Sequence, residues 1–162
     1  MSFHNVLALI PVNLQNDIIE MDAFIKSLRP LKFKRTVDKR KINYVSPEYG
    51  ISYAIFFSEL TQAFGWYFLH DKANNEWYRK TDYFVEVLSK VAETDPRSAK
   101  YIFNAINECK PCKSNPCSAI SYAYGGEQKM ACYGRVVLSL SQEDFNHAQK
   151  FFCQLNAFVD RL

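Results

Sequence analysis

The spacing of apolar and polar positions predicts a helix, a series of strands, two consecutive helices, a hairpin and a last helix. Residues 5 to 12 are mostly apolar and meet Pro11, which reads as a short strand or a docked arm. Beyond it Leu14, Ile18, Met21, Ile25 and Leu28 recur at alternating steps of four and three. That spacing puts them on one face of a helix from 14 to 28. Asn13 stands at its start as a cap and Pro30 ends it. The neighbouring carboxylates Glu20 and Asp22 fall on its solvent side.

From residue 32 the period shortens to two. Phe33, Arg35 and Val37 alternate with Lys32, Lys34 and Thr36, and after a turn at Asp38-Lys39 the pattern continues through Ile42 and Tyr44 to Pro47. Past the Tyr49-Gly50 turn, Ile51, Tyr53, Ile55 and Phe57 mark one face of a third strand, with Ser52, Ala54 and Ser58 opposite. Residues 64 to 69 are apolar on both faces, as suits a central or helix-covered strand. The order predicts an antiparallel meander.

Asn74-Asn75 opens a helix to about Glu93, with Trp77, Phe84, Leu88 and Val91 on one side. Asp95-Pro96 restarts it, the carboxylate as cap and the proline as first helical residue. Ala99, Ile102, Phe103 and Ile106 form the next stripe. Residues 118 to 124, the pair Gly125-Gly126 and residues 127 to 140 predict a β-hairpin. Ser141, with Asp144 three residues on, begins the last helix in capping-box fashion. Its stripe is Phe145, Ala148, Phe152, Leu155 and Val159, which leaves His147 on the polar side. The expected fold class is α+β: an antiparallel sheet, meander plus C-terminal hairpin, packed on one face by about four helices.

Composition narrows this picture. With 48% apolar residues in 162, the chain has enough to build one core. We expect residues 1–162 to form a single α+β domain, with a possible sub-boundary near 71–75 and a cysteine-rich loop and hairpin at 109–140. The first ten residues carry no Lys or Arg before their apolar run, so no secretory signal is expected. No apolar run is long enough for a transmembrane helix. A cytoplasmic location follows, where thiols stay reduced.

The net charge is +3, and six of the twenty basic residues lie between Lys32 and Lys41 against Asp38 alone. The remainder carries 14 basic and 16 acidic residues. That balance argues against nucleic acid as the main partner. It leaves the basic hairpin 32–41 as an alternative nucleic-acid contact, weighed against an edge strand guarded by lysines.

The candidate chemistry is concentrated in Cys109-Lys-Pro-Cys112-Lys-Ser-Asn-Pro-Cys117 and Cys132, four of the five cysteines. If Gly125-Gly126 is a two-residue turn, Tyr124 faces Glu127 and Ala119 faces Cys132. Cys117 then shares a sheet face with Cys132 as its diagonal neighbour, roughly 7 Å away. Cys109 and Cys112 form a Cys-x2-Cys turn able to aim two thiolates at one ion, with tetrahedral Zn–S bonds of about 2.3 Å. Lys110 and Lys113 would offset the site's negative charge. Zinc ribbons carry two such turns and this chain has one, so reduced thiols or a disulfide stay open as readings. A Cys109–Cys112 redox pair is disfavoured, because it follows a helix instead of starting one, where the dipole has the wrong sign. Cys153 is left over.

Weaker candidates surround the cluster. Arg135, beside Tyr133, offers an anion or carboxylate contact, or a cation stacked on aromatics. His70-Asp71 is a conceivable general base or an ordinary loop pair. Tyr53 and Trp66 belong to an aromatic group able to line a ligand pocket or fill a core. Nucleophile-elbow, Walker and Rossmann patterns are absent. The expected function is a cytosolic ligand- or protein-binding regulatory domain with a structural four-cysteine Zn2+ site, a small-molecule or protein partner and no membrane contact. The alternatives are a metal-dependent enzyme with an incomplete cysteine shell, assisted by His70 or Glu59, and a nucleic-acid accessory domain.

Overall fold

The computed structural model describes residues 1–57, 62–68, 77–109, 119–132 and 136–161, with the backbone alone at 67, 68, 77–82, 119, 120 and 132. In chain order these form α1 (Phe3–Leu7), α2 (Val12–Ser27), β1 (Lys34–Asp38), β2 (Lys41–Ser46), β3 (Ile51–Phe57) and β4 (Gln62–Phe68). They continue as α3 (Trp77–Thr94), α4 (Pro96–Asn104), β5 (Ala119–Tyr124), β6 (Glu127–Cys132), β7 (Val136–Ser139) and α5 (Gln142–Val159). The fold is α+β. None of the described helices is long and apolar enough to cross a membrane.

The meander forms as the period-two pattern predicts, and β7 joins it at the far side of β4. The sheet order is β1-β2-β3-β4-β7, antiparallel throughout. Its register aligns Arg35, Tyr44, Tyr53, Trp66 and Val136 in one row across all five strands. Val37, Ile42, Ile55, Phe64 and Leu138 form the next row on the same face. Side chains alternate along a strand, so these two rows make one apolar wall.

α5 seals that wall. The Phe152 ring meets Tyr53 edge-on at 5.4 Å and Trp66 at 5.1 Å, while Phe151 stacks on Trp66 at 5.1 Å. α2 closes the same face further along, where Tyr53 Oη donates to Met21 Sδ at 3.6 Å and Phe24 meets Phe145 edge-on. α3 packs beyond α5, with Phe84 touching Phe151 at 5.2 Å and Tyr122 of β5 at 5.4 Å. One contiguous apolar cluster runs from Val6 to Val159.

Three expectations change. Residues 3 to 7 are helical, capped by Ser2, whose hydroxyl accepts from the Asn5 N–H at 3.2 Å. A run this short satisfies either period, and burial of Val6, Leu7 and Ile10 decides nothing between them. α2 starts at Val12, ahead of Asn13, with Pro11 at the cap position and no side-chain cap. The expected strand from 127 to 140 divides: β6 stays with β5 in a two-stranded hairpin, and β7 leaves for the main sheet. The hairpin itself keeps the expected register, Tyr124 opposite Glu127 and Ala119 opposite Cys132. Gly125 and Gly126 both take positive φ, 59° and 81°, as a two-residue turn of this hand requires.

β4 and β7 approach closely at Gly65. A Cβ added there would fall well inside contact distance of the Val136 carbonyl oxygen, which is backbone and has little freedom to yield. Gly65→Ala is therefore expected to lower the unfolding free energy by roughly 1–3 kcal/mol, the usual cost of overpacking. Urea denaturation followed by tryptophan fluorescence measures it. Unchanged stability would show that the two strands can separate freely here.

Candidate metal-binding site

Asp95 builds the start of the path to the cysteines. Its carboxylate accepts from the Ser98 N–H at 3.0 Å and Pro96 occupies the first helical turn. Ala99, Ile102, Phe103 and Ile106 are buried as their spacing predicts. After α4 the chain runs along the two strands that part company. Ile106 bridges to Val136, Val137 N–H donates to the Ala105 carbonyl at 3.1 Å, and Cys109 N–H donates to the Met130 carbonyl at 2.7 Å. Lys129 donates to the Asn104 carbonyl at 2.8 Å and lies 3.7 Å from Glu108, fastening the same segment.

This geometry puts Cys109 beside β6. In an antiparallel hairpin, bonded and non-bonded pairs alternate. Counting from the closing pair Tyr124–Glu127, Met130 turns its carbonyl away from β5. The Cys109 segment therefore lies on the flank of β6 opposite β5. Cys132 is two positions along the same strand, opposite Ala119. Cys109 is partly exposed. Cys112 and Cys117 lie outside the described residues, as do His70, Glu59, Tyr133 and Arg135. Among the described residues no group of three or more His, Cys, Asp or Glu side chains gathers as metal ligands. Cys153 is exposed on α5.

Tyr53 and Trp66 do not line an open pocket. Both are 0% exposed and belong to the sheet row under α5. Burial pushes the Tyr53 phenol far above its ordinary value. The aromatic excess is, at these two positions, core.

Two polar clusters lie where the sequence suggested solvent. Asp22 is 7% exposed. Its oxygens accept from Arg35 Nη1 at 2.7 and 2.8 Å and from the Tyr44 hydroxyl at 2.7 Å. Phe3 covers the guanidinium at 4.3 Å. Burial and the bond to Asp22 drive the Tyr44 phenol well above its usual range. The signal for this pairing was Arg35 itself, a cation at an inward strand position that needs a buried anion.

His147 is likewise buried, 6% exposed, and its Nδ1 lies 2.8 Å from Ser98 Oγ. Ser98 Oγ donates to Asp95 Oδ2 at 2.7 Å. The three residue types match a nucleophilic triad, but the roles do not. A triad's carboxylate holds the imidazole, whereas here it takes the serine proton. Ser98 is also 0% exposed, out of reach of a substrate.

Asp22→Ala should be the most damaging polar change, since it leaves the half-buried Arg35 guanidinium and the buried Tyr44 hydroxyl without their shared acceptor. We expect a loss of about 3–5 kcal/mol, against about 1 kcal/mol for Tyr44→Phe, which removes one hydrogen bond. Chemical denaturation of both variants checks the ratio. Equal, small losses would show the network to be solvated.

In comparisons with known proteins, no family model matches the chain, and no curated protein or solved structure matches it.

Proposed function

We propose that this chain is a ligand- or protein-binding regulatory domain in which Cys109, Cys112, Cys117 and Cys132 hold one structural Zn2+. The supporting observation is the Cys109 N–H bond to the Met130 carbonyl, combined with the Ala119–Cys132 register. It brings the first cysteine to the flank of β6, two strand positions from the last. In sequence Cys117 stands two positions before Ala119, the partner of Cys132. Cys109 and Cys132 are thus supplied by described backbone, one bonded to β6 and the other in it. Four thiolates fill a tetrahedral shell and leave no position for water, which makes the ion a staple and not a Lewis acid.

The staple would join the end of α4 to the hairpin and fix the residues that follow Cys132. Tyr133 and Arg135 are among them and supply the aromatic and cationic contacts of a ligand or peptide carboxylate. Reduced thiols and zinc together fit a cytoplasmic setting.

Purified protein is expected to carry one zinc per chain and to expose a single reactive thiol, Cys153, until a chelator frees the rest. Cys132→Ser should abolish the zinc and cost several kcal/mol of stability, because metal affinity is folding energy. Cys153→Ser should change neither. Zinc-free protein with five reactive thiols would reject the proposal. One zinc with three thiolates and an exchangeable water would favour the enzyme reading instead.

A further inference from the structure

The seam between α4 and α5 is joined by polar groups along its length. Arg97 meets Glu143 at 3.0 Å, Tyr101 donates to Asp144 at 2.6 Å, and Lys150 reaches Asp95 and, at 3.3 Å, Ser98 Oγ. His147 lies at the centre, its ring stacked on Tyr101 at 4.3 Å and 24°. The hydrogen-bond pattern fixes its tautomer. Ser98 Oγ gives its only proton to Asp95 and accepts from Lys150. The imidazole must then donate from Nδ1 to the remaining lone pair. Nε2 is left as a bare acceptor, buried, with no hydrogen-bond partner among the described residues. The nearest carboxylate oxygen, on Glu143, is 3.9 Å away, beyond hydrogen-bond reach.

We propose that His147 is an acid-operated latch: a proton taken on Nε2 has no acceptor within hydrogen-bond distance in the closed seam, so α4 parts from α5 to let water reach the imidazolium. Among the described residues, Glu143, Asp144 and Asp95 favour the charged ring and Lys150 opposes it, but burial dominates and lowers its proton affinity. Lys150 and Ser98 hold the Asp95 carboxyl well below the usual range, so Asp95 does not titrate in the same window. The sign follows from linkage. A histidine depressed when closed takes its proton more readily when open, near the ordinary value of about 6.5. The closed seam is thus fully stable above that pH and weakens as pH falls from it toward the lower value of the closed form, by at most about tenfold per pH unit. α5 keeps its place because Phe151 and Phe152 hold it to the sheet.

Amide hydrogen exchange on the intact protein tests this. Protection factors, corrected for intrinsic rates, are measured from about one unit above the ordinary histidine value to about one and a half below it, roughly pH 7.5 to 5. Amides of α4 should lose protection below about pH 6.5, by up to tenfold per unit, while those of β2 and β3 keep theirs. His147→Asn retains a donor for Ser98 and removes the titration, so α4 protection should become flat across the window. Should that variant fail to fold, 15N NMR of the wild-type imidazole takes its place, with Nε2 staying unprotonated until α4 opens. Unchanged α4 protection, equal loss in β2 and β3, pH dependence surviving in His147→Asn, or an imidazole that titrates while α4 stays closed would each overturn the proposal.

Discussion

Everything in this fold leans on two adjacent phenylalanines. Phe152 drops between Tyr53 and Trp66, and Phe151 lies flat on Trp66 while also touching Phe84 of α3. Through these rings one helix joins the sheet to the second helical layer. Each buried Phe is worth roughly 1.5–3 kcal/mol by area, and each well-set aromatic pair adds about 0.5–1.5 kcal/mol. Serving two neighbours widens the buried face of α5. Beside the file Phe145, Ala148, Phe152, Leu155 and Val159 runs a second one, Asp144, His147, Phe151 and Phe158, and all of these are buried.

That second file explains why His147 misleads a reader of the sequence. A single stripe accounts for a helix that packs on one sheet, and a histidine three residues after an aspartate then looks solvated. Four residues on, Phe151 shows the same file turning inward. The lesson repeats in α2, where Asp22 sits one turn after Ile18 and one position after Met21, at the margin of the stripe. Both polar residues are buried because a neighbouring layer reaches over the margin, which one helix's periodicity does not encode. Local rules fared better. The Asp95 and Ser141 caps, the glycine turn and the alternation of β1 to β3 are set within a few residues and formed as read, except that the Asp144 carboxylate accepts from the Ser139 N–H and Tyr101 and does not close a capping box. The departure of β7 from the hairpin was illegible for the opposite reason: alternation names a face, and never the strand beside it.

The cysteine region divides in the same way. Spacing and hairpin register were enough to put Ala119 opposite Cys132, since both follow from a turn of known length. The approach of Cys109 to Met130 was not legible, because it needs the end of α4 to run past β7 before reaching β6. Aromatic residues carry the least positional information. Tyr53 and Trp66 are suited equally to a pocket wall and a core. Only the register that seats them side by side under Phe152 separates the two.

The buried polar groups are of two kinds, and the difference bears on what the fold can do. Asp22 spends its oxygens on Arg35 and Tyr44, so its ionised form is satisfied and has nothing to gain from rearrangement. His147 is satisfied at one nitrogen only, which makes its site conditional on protonation. The two lie on different seams. α2 is bound to β1 and β2 by the paired set, whereas the seam between α4 and α5 encloses the unpaired one. The other end of α4 is anchored separately, by Lys129 on the Asn104 carbonyl and by the Cys109 backbone on β6. A zinc ion held by the cysteines would strengthen that anchor further. α4 is then anchored where the proposed metal would sit and latched where the imidazole sits, so the two proposals act at opposite ends of one helix.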